Sequence, residues 1–152
     1  MLLADLLVEG RVKVPLAAGT KDEVLQELVE LVAADMAPGT AAPILAAVRD
    51  REREMTTGLG EGVAIPHGRT PVVDELGIAA GVTRAPIEYG AIDGEPVRIV
   101  FLLVGPETAA GEHVRTLARI ARLVRRPEVR GALLDAPTTA DFVRVIRQAE
   151  AA

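Results

Sequence analysis

Apolar residues along the chain fall first at helical spacing, then in short dense runs, then at helical spacing again. "ADLLVEG" reads as a short helix or turn, and "RVKVPL" as a short extended piece that Pro15 stops. Thr20-Lys21-Asp22-Glu23 has the form of a capping box, in which side-chain oxygens satisfy the free donors of a helix start. Val24, Leu25, Leu28, Leu31 and Val32 supply that helix's apolar stripe. Pro38 and Gly39 end it. "TAAPILAAVRDRERE" predicts a second helix, begun at Thr40 and ending in alternating, solvated charge. Gly58, Gly60 and Gly62 then break any helix.

Three strands are expected next: "GVAIP", "LGIAAGVTR" and, after the turn at Asp93-Gly94, "VRIVFLLVG". The last is almost continuously apolar, the pattern of a strand buried on both faces. From Glu112 to Arg126 the spacing is helical. Arg115, Arg119, Arg122 and Arg126 form one solvated stripe, with Val114, Leu117, Ala121 and Val124 away from it. "PEVRGALLD" and "TTADFVRVIRQAE" predict two short helices split by Pro137. The expected fold class is α/β: a single domain over residues 1–150, with a mixed β-sheet sandwiched by α-helices. No internal repeat is visible, and strand order is not readable.

Composition narrows the chemistry. The 152 residues are 49% hydrophobic, enough for one real core. Tyr89, Phe101 and Phe142 are the only aromatic residues, so the core is aliphatic and stacking on bases is not the binding mode. Cys, Ser, Asn and Trp are absent, which removes disulfides, thiolate metal sites, cysteine nucleophiles and serine triads. No leader or membrane span is visible, and the chain reads as cytoplasmic. The net charge of −5 is unevenly spread, with arginine concentrated after residue 110. That excludes a uniformly basic nucleic-acid surface while allowing a local basic patch.

The stretch "REREMTTGLGEGVAIPHGR", residues 51–69, places His67 behind a glycine-rich turn and a proline. Gly58, Gly60 and Gly62 do not make a dinucleotide fingerprint, and no Walker lysine exists. His67 and His113, the only histidines, lack metal-ligand spacing, so no metal is expected. A neutral imidazole is, however, a good nucleophile near pH 7. Phosphoryl transfer to it needs positioning and positive charge. Glycine N–H groups at Gly58 and Gly60 offer a cradle for an anion, a threonine hydroxyl at Thr56 or Thr57 a further contact, and Arg51 or Arg53 a cation. On this chemistry alone, His67 is either a phosphoryl acceptor or a structural loop histidine. His113 alone reads as a surface or cap residue.

The segment "REREMTTGLGEGVAIPHG" closely resembles the phosphorylation site of fructose/mannitol-type (type 2) enzyme IIA domains of the bacterial phosphoenolpyruvate-dependent sugar phosphotransferase system, including their nitrogen-regulatory branch. The shared features are an arginine-glutamate pair, a T-G-[IL]-G turn and an A-[IL]-P-H ending. "AIDGEPVRIVFLLVGP" resembles the family's D-G-x-P-V strand, and "GEHVRTLARIARLV" the helix bearing its second histidine. Glu61 stands where Asn or Asp is common.

The resemblance implies a phosphotransferase component whose fold is a mixed sheet between helices. His67 would be phosphorylated by the phosphocarrier HPr or a relative and would pass the phosphate to a cysteine of an enzyme IIB. Arg51 would steady the phosphoryl group and His113 would hydrogen-bond or orient it; Thr57, Gly58 and Gly60 remain, on the chemistry above, the expected phosphate-cradling turn. No metal, nucleotide or organic cofactor is implied. With no cysteine here, the enzyme IIB acceptor is expected on a separate chain, and any membrane link only through the transporter. A homodimer and a transient contact are equally compatible with the sequence. Two other functions stay open: a regulatory, nitrogen-type protein whose phosphorylation state controls partners, and a non-catalytic module binding anions or nucleic acid.

Overall fold

The long apolar run expected to be buried on both faces forms the centre of a mixed sheet. The computed structural model describes residues 2–151, apart from the Glu9 side chain; Met1, at the start of the expected domain, lies outside them. In chain order the elements are α1 (Leu3–Leu6), β1 (Val12–Leu16), α2 (Lys21–Ala33), α3 (Ala41–Glu54), β2 (Gly58–Gly60), β3 (Val63–Ala64), β4 (His67–Arg69), β5 (Gly77–Ile87), β6 (Val97–Gly105), α4 (Ala110–Val124), α5 (Pro127–Asp135) and α6 (Thr139–Ala151). The sheet runs β1-β5-β6-β3-β2, with β4 also on β6. β5 is antiparallel to β6, whereas β3 and β4 are parallel to it.

Alternation along β6 divides the core in two. Ile99, Phe101 and Leu103 face α1, α4, α5 and α6, where they meet Leu3, Ile120, Phe142 and Ile146. Val100, Leu102 and Val104 face α2 and α3, where they meet Leu28, Val32, Ile44 and Val48. One sheet between two helical layers is the expected single α/β domain. Among the described residues, no helix is long and apolar enough to cross a membrane.

Local chemistry sets the element ends. The Thr20 hydroxyl accepts from Glu23 N and caps α2, as the sequence predicts. Thr40 stands at the start of α3 but makes no such cap; its hydroxyl donates to the Ala37 carbonyl and closes the preceding turn. β1 runs through Pro15 rather than stopping there, because it is an edge strand, where a missing N–H is tolerated. Asp93 accepts from Glu61 N and Glu95 N, both at 3.0 Å, and fixes the turn before β6. The arginine stripe of α4 is only partly solvated: Arg119 donates to Glu150, and Arg126 to Glu128 and the Ala149 carbonyl. Val114, expected on the apolar side, is 63% exposed.

Candidate functional site

β3 and β4 are two pieces of one strand track. Val63 pairs with Ile99 and His67 with Leu103, both parallel and in the same register along β6. Ile65 and Pro66 interrupt the track between them, and Pro66 has no N–H to offer a ladder. At this break the Ile65 carbonyl turns to the histidine: His67 Nδ1 lies 2.9 Å from it. A carbonyl only accepts, so Nδ1 carries the proton and Nε2 keeps a free lone pair. The backbone thereby selects the tautomer in which Nε2 carries the free lone pair.

His67 opens on a cleft of about 700 Å³ lined also by Ala47, Asp50, Arg51, Glu54, Gly68, Arg69, Glu107, Ala110, His113, Val114 and Leu117. Three elements meet here: β4 brings His67, the C-terminal part of α3 brings Arg51, and the first turn of α4 brings His113. The two imidazoles stand edge to face with centroids 5.5 Å apart. His113 is 4% exposed, and its Nδ1 is buried without a hydrogen-bond partner among the described residues. Arg51 donates to the Met55 carbonyl at 2.9 Å. Arg53 turns away to pair with Asp50, so of the two arginines only Arg51 lines the cleft.

Both rings are held neutral at pH 7. Burial lowers the His67 pKa below its ordinary value; Arg51 and Arg69 add to the effect, while the Ile65 carbonyl and Glu52 oppose it. Burial, with His67 and Arg69 nearby, lowers His113 to about 4. A neutral His67 is nucleophilic, and a neutral His113 still has one N–H to donate.

The glycine turn does not line this cleft, contrary to its expected role as a phosphate cradle. Thr57 is 4% exposed, and its N–H and hydroxyl are both bound to the Glu52 carboxylate. The Thr57 hydroxyl also meets Tyr89 Oη at 2.9 Å. Gly58 is required by a close approach of protein to itself: a Cβ there would fall 2.7 Å from the Ala91 Cα. Gly60 has φ of 109°, and a Cβ would meet the Asp93 carboxylate at 3.0 Å.

The sequence reading missed Glu52, the partner of Arg51 in the arginine-glutamate pair. Its side chain is 7% exposed and ion-paired with Lys21 at 2.9 Å. Burial opposes its charge, but bonds from Thr57 and Lys21 outweigh that and hold the carboxyl below its ordinary pKa. Lys21 also sits 4.4 Å from the Tyr89 ring centroid. This network ties the end of α3 to the segment before β2. The signal was a carboxylate on the inward side of a charged helix end, which the alternating charge concealed.

Residues 5–149 match the family described as the phosphoenolpyruvate-dependent sugar phosphotransferase system, EIIA 2. The chain is 38% identical over 130 residues to the nitrogen regulatory protein of Bradyrhizobium diazoefficiens, covering 85% of this chain and 84% of that one. It is 30% identical over 148 residues to the fructose-specific EIIABC component of Bacillus subtilis, covering 97% of this chain but only 23% of that protein's length. The nitrogen regulatory protein IIA-Ntr from Neisseria meningitidis superposes with a TM-score of 0.87 at 29% identity, covering 95% of this chain and 98% of its own. The Escherichia coli mannitol enzyme IIA in complex with phosphorylated enzyme IIB shares the fold, with a TM-score of 0.74 at 17% identity over 91% of this chain and 95% of its own.

Proposed function

The chain belongs to the EIIA 2 family of the phosphoenolpyruvate-dependent sugar phosphotransferase system, and from that premise we propose that it is a phosphocarrier acting through His67 Nε2. The observation that carries this reading is the His67 Nδ1–Ile65 carbonyl bond, which leaves Nε2 free at the cleft shared with Arg51 and His113. The donor is a phosphohistidine protein of HPr type. The Nε2 lone pair attacks its phosphorus, the donor N–P bond breaks, and that electron pair returns to the donor ring. Positive charge develops on the His67 ring, where the Ile65 carbonyl stabilises Nδ1–H. Arg51 neutralises phosphoryl charge, and the neutral His113 donates its N–H to a phosphoryl oxygen. Onward transfer is the same displacement reversed: a cysteine thiolate of an enzyme IIB attacks phosphorus, and Nε2 regains its lone pair. The solved complex of a mannitol enzyme IIA with phosphorylated enzyme IIB supports that acceptor class.

The similarity to nitrogen regulatory proteins supports a second reading, in which the phosphorylation state of His67 governs a partner protein. Both readings share the first step. Incubation with phosphoenolpyruvate, enzyme I and HPr, followed by intact-mass measurement, is expected to show one acid-labile phosphate on the wild type and none on His67→Ala. No phosphate from a cognate, active donor would return His67 to a structural role. Offering the phosphorylated chain to enzyme IIB then separates the readings: loss of phosphate to the acceptor cysteine favours transport, and retention favours regulation.

A further inference from the structure

His67 and Arg69 lie two residues apart on β4, so both side chains point to the face of the sheet that carries α4. Gly68 between them faces α3, where a Cβ would come within 3.0 Å of Val48 N. Arg69 lines the same cleft as both histidines. It is exposed, and among the described residues it makes no side-chain hydrogen bond and no ion pair. Each of the neighbouring arginines is already engaged: Arg51 holds the Met55 carbonyl, and Arg53, which does not line the cleft, pairs with Asp50, which does. The cleft's acids are Asp50, Glu54 and Glu107. Asp50 is matched by Arg53, and the carboxylate that acts on His67 is that of Glu52, on the far side of α3's end. Arg69, by contrast, disfavours the charged form of both rings, whereas Arg51 acts on His67 alone. Arg69 is therefore the uncommitted cation standing beside both imidazoles.

We infer that Arg69 is a second phosphoryl-binding residue, which closes on the phosphate at His67 Nε2 from the α4 side of the sheet while Arg51 reaches it from the α3 side. The inference rests on the phosphocarrier reading and assigns that site a further residue. A guanidinium binds phosphate through parallel N–H bonds, and Arg69 gives up no protein contact in doing so. Arg51 has its Nη1 committed to the Met55 carbonyl and brings only its remaining donors, whereas Arg69 offers its full fork.

The test is phosphoryl transfer from a phosphorylated HPr-type donor, followed by rapid quench, with wild type, Arg69→Gln and Arg69→Lys. Arg69→Gln is expected to lower both the transfer rate and the transfer equilibrium constant by at least about tenfold and to flatten the dependence of the rate on salt. Arg69→Lys restores part of each, since a point charge replaces a fork. NMR titration of the unphosphorylated protein supplies a readout that needs no donor: both imidazole pKa values should rise in Arg69→Gln with cooperative unfolding unchanged. A wild type that is phosphorylated beside an Arg69→Gln protein with equal rate, equilibrium and salt dependence overturns the inference and leaves the phosphocarrier reading standing. A wild type that takes no phosphate from an active donor overturns both.

Discussion

Glu61 has φ of 57°, in the left-handed region that costs an ordinary side chain about 1 kcal/mol and that Asn, Asp and Gly enter more readily. The sequence marked the position as unusual because Asn or Asp is common there; the backbone supplies the reason. Its ion pair with Arg130 spans 3.7 Å with Glu61 75% exposed, so the pair contributes little. Glu61→Asn is expected to raise stability by about 0.5–1 kcal/mol in urea unfolding, without changing phosphorylation of His67. Other residues were legible to different degrees. His67, Arg51 and His113 stood out by motif, and the fold brings them to one cleft. Thr57, Gly58 and Gly60 do not line that cleft; glycine spacing signals that something must come close without saying what. Here it is the Ala91 backbone and the Asp93 side chain. Arg69 stood in plain sight two residues after the histidine, but spacing of two means a shared face only once the segment is known to be a strand.

At the scale of elements, the site depends on how closely α3 lies on β4. Gly68 makes that approach possible, and the atoms a Cβ would meet are helix backbone, Val48 N at 3.0 Å and Ala47 C at 3.1 Å, which cannot swing aside. Gly68→Ala should therefore push α3 outward, carrying Arg51 away from His67. The expected cost is about 1–3 kcal/mol of stability. The phosphorylation rate should fall further than the folded fraction at the assay temperature; a rate loss that merely tracked the unfolded fraction would count against this coupling. The helices were readable because their periodicity is local. The break between β3 and β4 was not, because Ile65 and Pro66 look like the end of one strand until β6 shows that the track resumes. Likewise β1 continues past Pro15 because, among the described residues, it is an edge strand.

For the molecule as a whole, stability is tied to pH through histidines kept uncharged. His113 has a pKa of about 4 in the fold, against an ordinary 6.5. Between these values the unfolded chain binds a proton that the native chain refuses, so stability falls as pH drops from about 6.5 to about 4 and its contribution is constant below that. The difference amounts to about 3 kcal/mol from this ring. His67, lowered in the same direction, adds to the fall, whereas Glu52 and Asp22, whose carboxyl pKa values the fold depresses, lose their contribution only as pH drops below their ordinary values of 4.5 and 3.8. Urea unfolding at pH 7 and pH 4.5 should show a much smaller loss in His113→Gln than in the wild type. An equal loss in both would place the acid sensitivity outside His113. The layered architecture behind this was predictable from the one strand buried on both sides. Strand order was not, since it is set by contacts between residues far apart in sequence.

The common register of β3 and β4 on β6 has a consequence for chain length. Side chains alternate across a sheet, so adding or removing a single residue between Val63 and His67 would carry the imidazole to the opposite layer, among the residues of α3 rather than beside His113. The composition of "VAIPH" can vary within what the core accepts, but its length is constrained by parity: an odd insertion or deletion silences the site even if every residue that touches the cleft is kept.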